Sequence, residues 1–159
     1  MIDAAALLRL MECPKLSRTI RLGPEDCISI DFANRLRVAT LERRLRCVWT
    51  HVPNELAGGM GKRSSARYAV AKALGMVTGT HDYLFLAPDR SAAIEMKAGR
   101  NPLTEGQRDF RAWCESAGVM VATARSADEA EGLLTEWELL LPAGQRWTGQ
   151  PFRPGGRAA

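Results

Sequence analysis

At 159 residues the chain can bury one proper core and is too short for two full domains. Hydrophobic residues are 46% and charged residues 25% of the chain, the balance of a soluble globular protein, and no apolar run approaches the roughly 20 residues of a membrane span. The two histidines and four cysteines, none in Cys-x-x-Cys spacing, argue against a zinc site, and reduced thiols fit a cytoplasmic protein. The N-terminus lacks the basic start and long apolar stretch of a signal peptide.

Residues 1–27 read as a loosely organised leader, broken at Cys13-Pro14 and Gly23-Pro24. A helix is predicted over 28–45, because Ile28, Phe32, Leu36 and Ala39 recur at spacings of four and three. Arg46 to Val52 predicts a strand stopped by Pro53. Gly58-Gly59-Met60-Gly61 reads as a flexible loop, and 63–74 as a second helix ended by Gly75. A β-hairpin is expected over 82–97, with Pro88-Asp89-Arg90 as its turn. Leu103 to Ala117 predicts a third helix with Gly118 as its stop, and Val119 to Thr123 a fourth strand. Ser126 can cap a last helix running to about Leu140, with Asp128 and Glu129 suiting its dipole.

The stretch 142–159 is rich in Pro and Gly, with three arginines and no acid, and reads as a flexible basic tail carrying Trp147 and Phe152. This order of elements implies an α/β domain over 28–141, a small mixed sheet flanked by helices. Charge is unevenly spread. Nine basic residues lie between Arg35 and Lys72 against Glu42 and Glu55, whereas Ser126 to Leu140 holds five acids and no base. The first half is therefore suited to a polyanion, or is simply a solvated face.

The chemistry concentrates in the hairpin. Glu95 and Lys97 are two residues apart and share one strand face, while Ile94 and Met96 point to the other. Asp82 opens the preceding strand. Two carboxylates and an ammonium can hold a divalent metal and position a water, the minimal equipment for phosphodiester hydrolysis. A surface salt bridge is the plainer alternative, but the apolar neighbours Ala92, Ala93, Ile94 and Met96 make this a costly strand for idle charges. On the third helix Leu103, Gln107, Phe110, Cys114 and Ala117 share a face on which Gln107 is the strongly polar member. It either bonds backbone in the core or reaches the site. His51-Val52-Pro53-Asn54-Glu55 places polar groups where the sheet edge opens, or forms an Asx turn.

Pro53-Asn54-Glu55, Gly79 with Asp82, Glu95-Met96-Lys97, and Leu103 with Gln107 resemble, in order, the motifs of the VRR-Nuc domain. That is the virus-type replication-repair branch of the PD-(D/E)xK nucleases, and the resemblance covers roughly residues 28–140. It implies a restriction-endonuclease-like fold and a metal-dependent, structure-selective DNA endonuclease, with Mg²⁺ or Mn²⁺ held by Asp82, Glu95 and the Met96 backbone carbonyl. Lys97 would orient the attacking water, and Gln107 would match the family glutamine. Asp31 is the first-helix acid the resemblance offers, with Glu42 second. Asn54, Lys62, Arg63 and Arg67 would contact DNA, with four-way junctions as a substrate and a homodimer as the assembly. His81 stands where the family has proline, which leaves it as a loop histidine, a phosphate contact or a proton carrier. A non-catalytic nucleic-acid-binding module with the same fold, and an unrelated small α/β domain, are the competing readings.

Overall fold

The computed structural model describes residues 4–13, 15, 16, 19–53 and 62–149. In chain order the elements are α1 (Ala4–Leu10), α2 (Pro24–Leu41), β1 (Val48–His51), α3 (Lys62–Ala73), β2 (Tyr83–Leu86), β3 (Ser91–Met96), α4 (Glu105–Ser116), β4 (Met120–Ala124) and α5 (Ala127–Glu136). The strands form one mixed sheet in the order β1-β2-β3-β4. β1 and β2 pair antiparallel with Val48 opposite Leu86, and β2 and β3 pair antiparallel with Tyr83 opposite Ile94. β3 and β4 run parallel with Glu95 opposite Thr123, joined by the α4 crossover that a parallel pair requires. No helix among the described residues is long and apolar enough to cross a membrane.

The first long helix starts earlier than its apolar spacing suggests. Pro24 occupies its first turn, where a missing N–H costs nothing, and Glu25 and Asp26 meet the positive end of the helix dipole. The Asp26 carboxylate also accepts from the Gly23 amide at 2.7 Å. The helix stops at Leu41 rather than 45, because Arg43 adopts φ 61° and the Arg44 amide turns back to the Ala39 carbonyl at 2.8 Å. α5 ends in the same way. Glu138 takes φ 56° and the Leu139 amide reaches the Leu134 carbonyl at 2.8 Å, so the helix stops at Glu136, short of Leu140. The two reversed ends feed an antiparallel bridge between Leu45 and Leu140.

One face of the sheet carries the core. Ile94 and Met96 of β3 and Tyr83 and Phe85 of β2 pack against Phe32, Leu36 and Ala39 of α2 and against Ala130 and Leu134 of α5. Phe32 stands edge-on to Tyr83 with ring centroids 5.0 Å apart. The Tyr83 hydroxyl donates to the Ser29 carbonyl at 2.7 Å, so its burial leaves no orphan donor. On the other face of β3, the alternation that sends Ile94 and Met96 into this core leaves Glu95 facing α4.

Candidate active site

Glu95 sits one residue before the end of β3 and is 1% exposed. Its Oε1 accepts from the Lys97 ammonium at 2.9 Å and from the Gln107 side-chain amide. Its Oε2 is buried with no hydrogen-bond partner, and stands 3.6 Å from Nδ1 of His81. Asp82, in the residue before β2, turns its Oδ2 to the Met96 amide at 2.8 Å, which pins it to the same end of β3. The structure thus brings Asp82, Glu95, Lys97 and Gln107 together from the loop before β2, the end of β3 and the first turn of α4.

Gln107 combines both roles open to it. Thr104 caps α4, and the Gln107 side-chain carbonyl accepts from the Thr104 amide at 2.9 Å, closing a capping box. That bond aims the NH₂ end at Glu95. The α4 N-terminus is held by a close backbone approach. Gly79 has φ +80°, and a Cβ there would lie 2.1 Å from the Gly106 carbonyl group. The same loop carries His81, wholly buried, with its ring 5.3 Å from Phe110.

Burial dominates the electrostatics. It pushes the Glu95 carboxyl up to about 7, with the nearby Asp82 charge adding to the effect and Lys97 opposing it. Asp82 is likewise raised by burial, against the hydrogen bond from Met96. Burial pulls Lys97 down, but the bond to Glu95 and the charges of Glu95, Glu25 and Asp82 outweigh it and hold the ammonium above its ordinary value. His81 is lowered, first by burial, which favours the neutral imidazole.

Asp31 and Glu42 are not part of this cluster. Asp31 pairs with Arg35 at 3.0 Å, and Arg35 in turn holds Asp128 and Glu131 of α5. Glu42 pairs with Arg44 at 2.7 Å. The α2 acid that faces the centre is Glu25, whose carboxylate accepts from the Ala98 amide at 3.2 Å and the Asn101 amide group at 3.3 Å. Its charge is felt at both Asp82 and Lys97. The signal for it is the sequence Gly23-Pro24-Glu25-Asp26, which places Pro just inside a helix and acids in its first turn. His51, in sequence only one of several polar groups at the sheet edge, lies close enough to Asp82 to favour its charged form. Arg67 is exposed on α3. Asn54 and the side chains of Lys62 and Arg63 lie outside the described residues.

The donor set suits a hard divalent cation. Glu95 offers an unsatisfied buried oxygen beside a second carboxylate, and no three Asp, Glu, His or Cys groups among the described residues converge on one metal position. Two carboxylates are what Mg²⁺ commonly takes while keeping waters of its own.

No protein family matches the chain by sequence pattern, and no curated protein matches it. A solved structure does: a "VRR_NUC domain protein" superposes with a TM-score of 0.52 at 15% identity, covering 77% of this chain and 94% of that one. The chain has the α/β fold of a VRR-Nuc domain, a small mixed sheet flanked by helices.

Proposed function

We propose that the protein is a metal-dependent, structure-selective DNA endonuclease of the PD-(D/E)xK type, cutting phosphodiester bonds at branched DNA such as Holliday junctions. The observation that carries this is Glu95. A carboxylate that is 1% exposed, raised by its surroundings and left with one bare oxygen is costly to keep for stability alone. Asp82, Glu95 and the Met96 carbonyl would hold Mg²⁺ or Mn²⁺, with Glu25 rather than Asp31 as the α2 acid nearby. Such an ion supplies an acidified water and a polarised phosphoryl oxygen.

The chain's own groups do the rest. Lys97 and Gln107 both engage Oε1 of Glu95, which fixes the carboxylate and leaves Oε2 for a ligand. The Lys97 ammonium, held charged, orients the attacking water and offsets charge growing on the phosphate. Arg67, with Asn54, Lys62 and Arg63, would contact the DNA backbone, giving salt-sensitive and sequence-independent binding. A homodimer would present two such centres to two strands of a junction.

The test is cleavage of labelled four-way junction, flap and linear duplex DNA with Mg²⁺, Mn²⁺ or EDTA, alongside Glu95→Ala and Lys97→Ala. The expected result is cation-dependent cutting, strongest on the junction and lost in both variants. No cutting, with DNA binding unchanged by EDTA, would point instead to a non-catalytic binding module of the same fold. The lack, among the described residues, of a third Asp, Glu, His or Cys converging on the same position is the observation that favours that second reading.

A further inference from the structure

A groove of about 870 Å³ runs along the outer edge of β1, away from the four-residue centre. Three basic residues, Arg37, Arg43 and Arg46, are among those that line it, against one acidic residue, Glu12. Three aromatic residues, Trp49, His51 and Trp147, are also among the lining. Exposed apolar side chains complete the lining, among them Leu10 at 74% and Val48 at 71% exposure. A ligand that suits this lining carries negative charge and flat π-faces on one flexible chain.

Single-stranded nucleic acid has that chemistry, because cations track its phosphates while aromatic side chains stack on its bases. Duplex DNA does not, because its bases are stacked inside, and proteins read it with convex elements that enter its grooves. None of the four centre residues lines the groove, but its His51 comes close enough to act on the Asp82 charge. His51 pairs with Tyr83 across the sheet, and has its ring 5.0 Å from that of Tyr83, the neighbour of Asp82.

We propose that this groove binds the unpaired strand of a branched or flapped nucleic acid and leads it past His51 to Asp82, an inference that rests on the endonuclease reading for what happens at that end. Arg37 and Arg43 hold phosphates, and Trp147 stacks on a base. The backbone amide of Trp147 donates to the Arg43 carbonyl at 2.8 Å, which ties the two main chains together beside the groove.

The test is fluorescence anisotropy of the full chain in EDTA with a short labelled oligothymidylate, and with the same strand annealed to its complement. The variants are Arg37→Gln with Arg43→Asn, asparagine being chosen because position 43 has φ 61° and asparagine tolerates that region. Trp147→Leu is the second variant, and circular dichroism confirms that each is folded. The expected result is tighter binding of the single strand than of the duplex. The double arginine variant should lower the slope of log affinity against log salt by about 1.4, roughly 0.7 for each phosphate no longer neutralised. Trp147→Leu should weaken binding roughly five- to 150-fold at an unchanged slope. Equal binding of duplex and single strand, or an unchanged slope in the arginine variant, would overturn the proposal. So would loss of self-association in these variants without loss of oligonucleotide binding, which would make a second copy the occupant. Groove-dependent binding by a protein that cuts nothing would sink the endonuclease reading and leave the groove standing. Cutting with groove-independent binding would do the reverse.

Discussion

Replacing Gly79 by alanine strikes the centre from behind, without changing any of its four side chains. The added Cβ would lie 2.1 Å from the carbonyl carbon and oxygen of Gly106 and 2.5 Å from the Gln107 nitrogen. All three are backbone atoms, so no side chain can swing aside, and the loop or the first turn of α4 must move. The residue is also at φ +80°, where a side chain costs about 1–2 kcal/mol. Forcing an extra methyl into a packed region adds about 1–3 kcal/mol. The sum is a loss of about 2–5 kcal/mol, and any shift of α4 also withdraws Gln107 from Glu95. Gly118 supplies the control, since it has φ +75° but nothing within 4 Å of its Cβ position. Gly118→Ala should therefore lose only the backbone part, about 1–2 kcal/mol. Urea unfolding of the two variants reads the difference as a shift in midpoint at constant m. If Gly79→Ala were no less stable than Gly118→Ala, the docking of this loop on α4 would be wrong.

Two further outcomes follow from the same geometry. Glu95 is raised from 4.5 to about 7, so between those pH values the folded state holds a proton the unfolded state has lost. In the metal-free protein this Glu95 contribution should accordingly be full below pH 4.5 and fall by up to about 3 kcal/mol as pH rises through 7, at roughly 1.4 kcal/mol per unit. Glu95→Gln should flatten that slope in urea titrations at several pH values, and an equally steep slope in the variant would show that another group sets it. Tyr83→Phe removes the donor to the Ser29 carbonyl and should cost about 1 kcal/mol, measured by the same unfolding assay. A variant as stable as the parent would show that this bond adds nothing.

The parts of the site legible in the sequence are those set by local rules. Strand alternation puts Glu95 and Lys97 on one face, and the turn at Pro88-Asp89-Arg90 brings Asp82 to the same end of the hairpin. Gly118 and Ser126 mark real helix ends because their conformation and side-chain chemistry are local properties. The start of α2 is hidden for a definite reason. Gly23-Pro24 looks like a break, whereas Pro at the first helical turn is a start, and this conceals Glu25.

The helix ends at Arg43 and Glu138 carry no glycine, and what accompanies them is the long-range bridge between Leu45 and Leu140. Position in the chain offers Asp31 as a ligand, but its partner Arg35 is tied to acids nearly a hundred residues later in the chain. The burial of His81 is equally hidden. It depends on Phe110 and on the close approach of Gly79 to Gly106, which no local pattern announces.

The central claim is that the bare oxygen of Glu95, beside Asp82, is a cation site and not a structural accident. The most direct measurement is calorimetric titration of Mn²⁺ into the wild-type chain and into Asp82→Asn and Glu95→Gln proteins, each confirmed folded. The expected result is saturable binding by the wild type that is lost in both variants. Equal uptake by all three proteins, or none by the wild type, would contradict it.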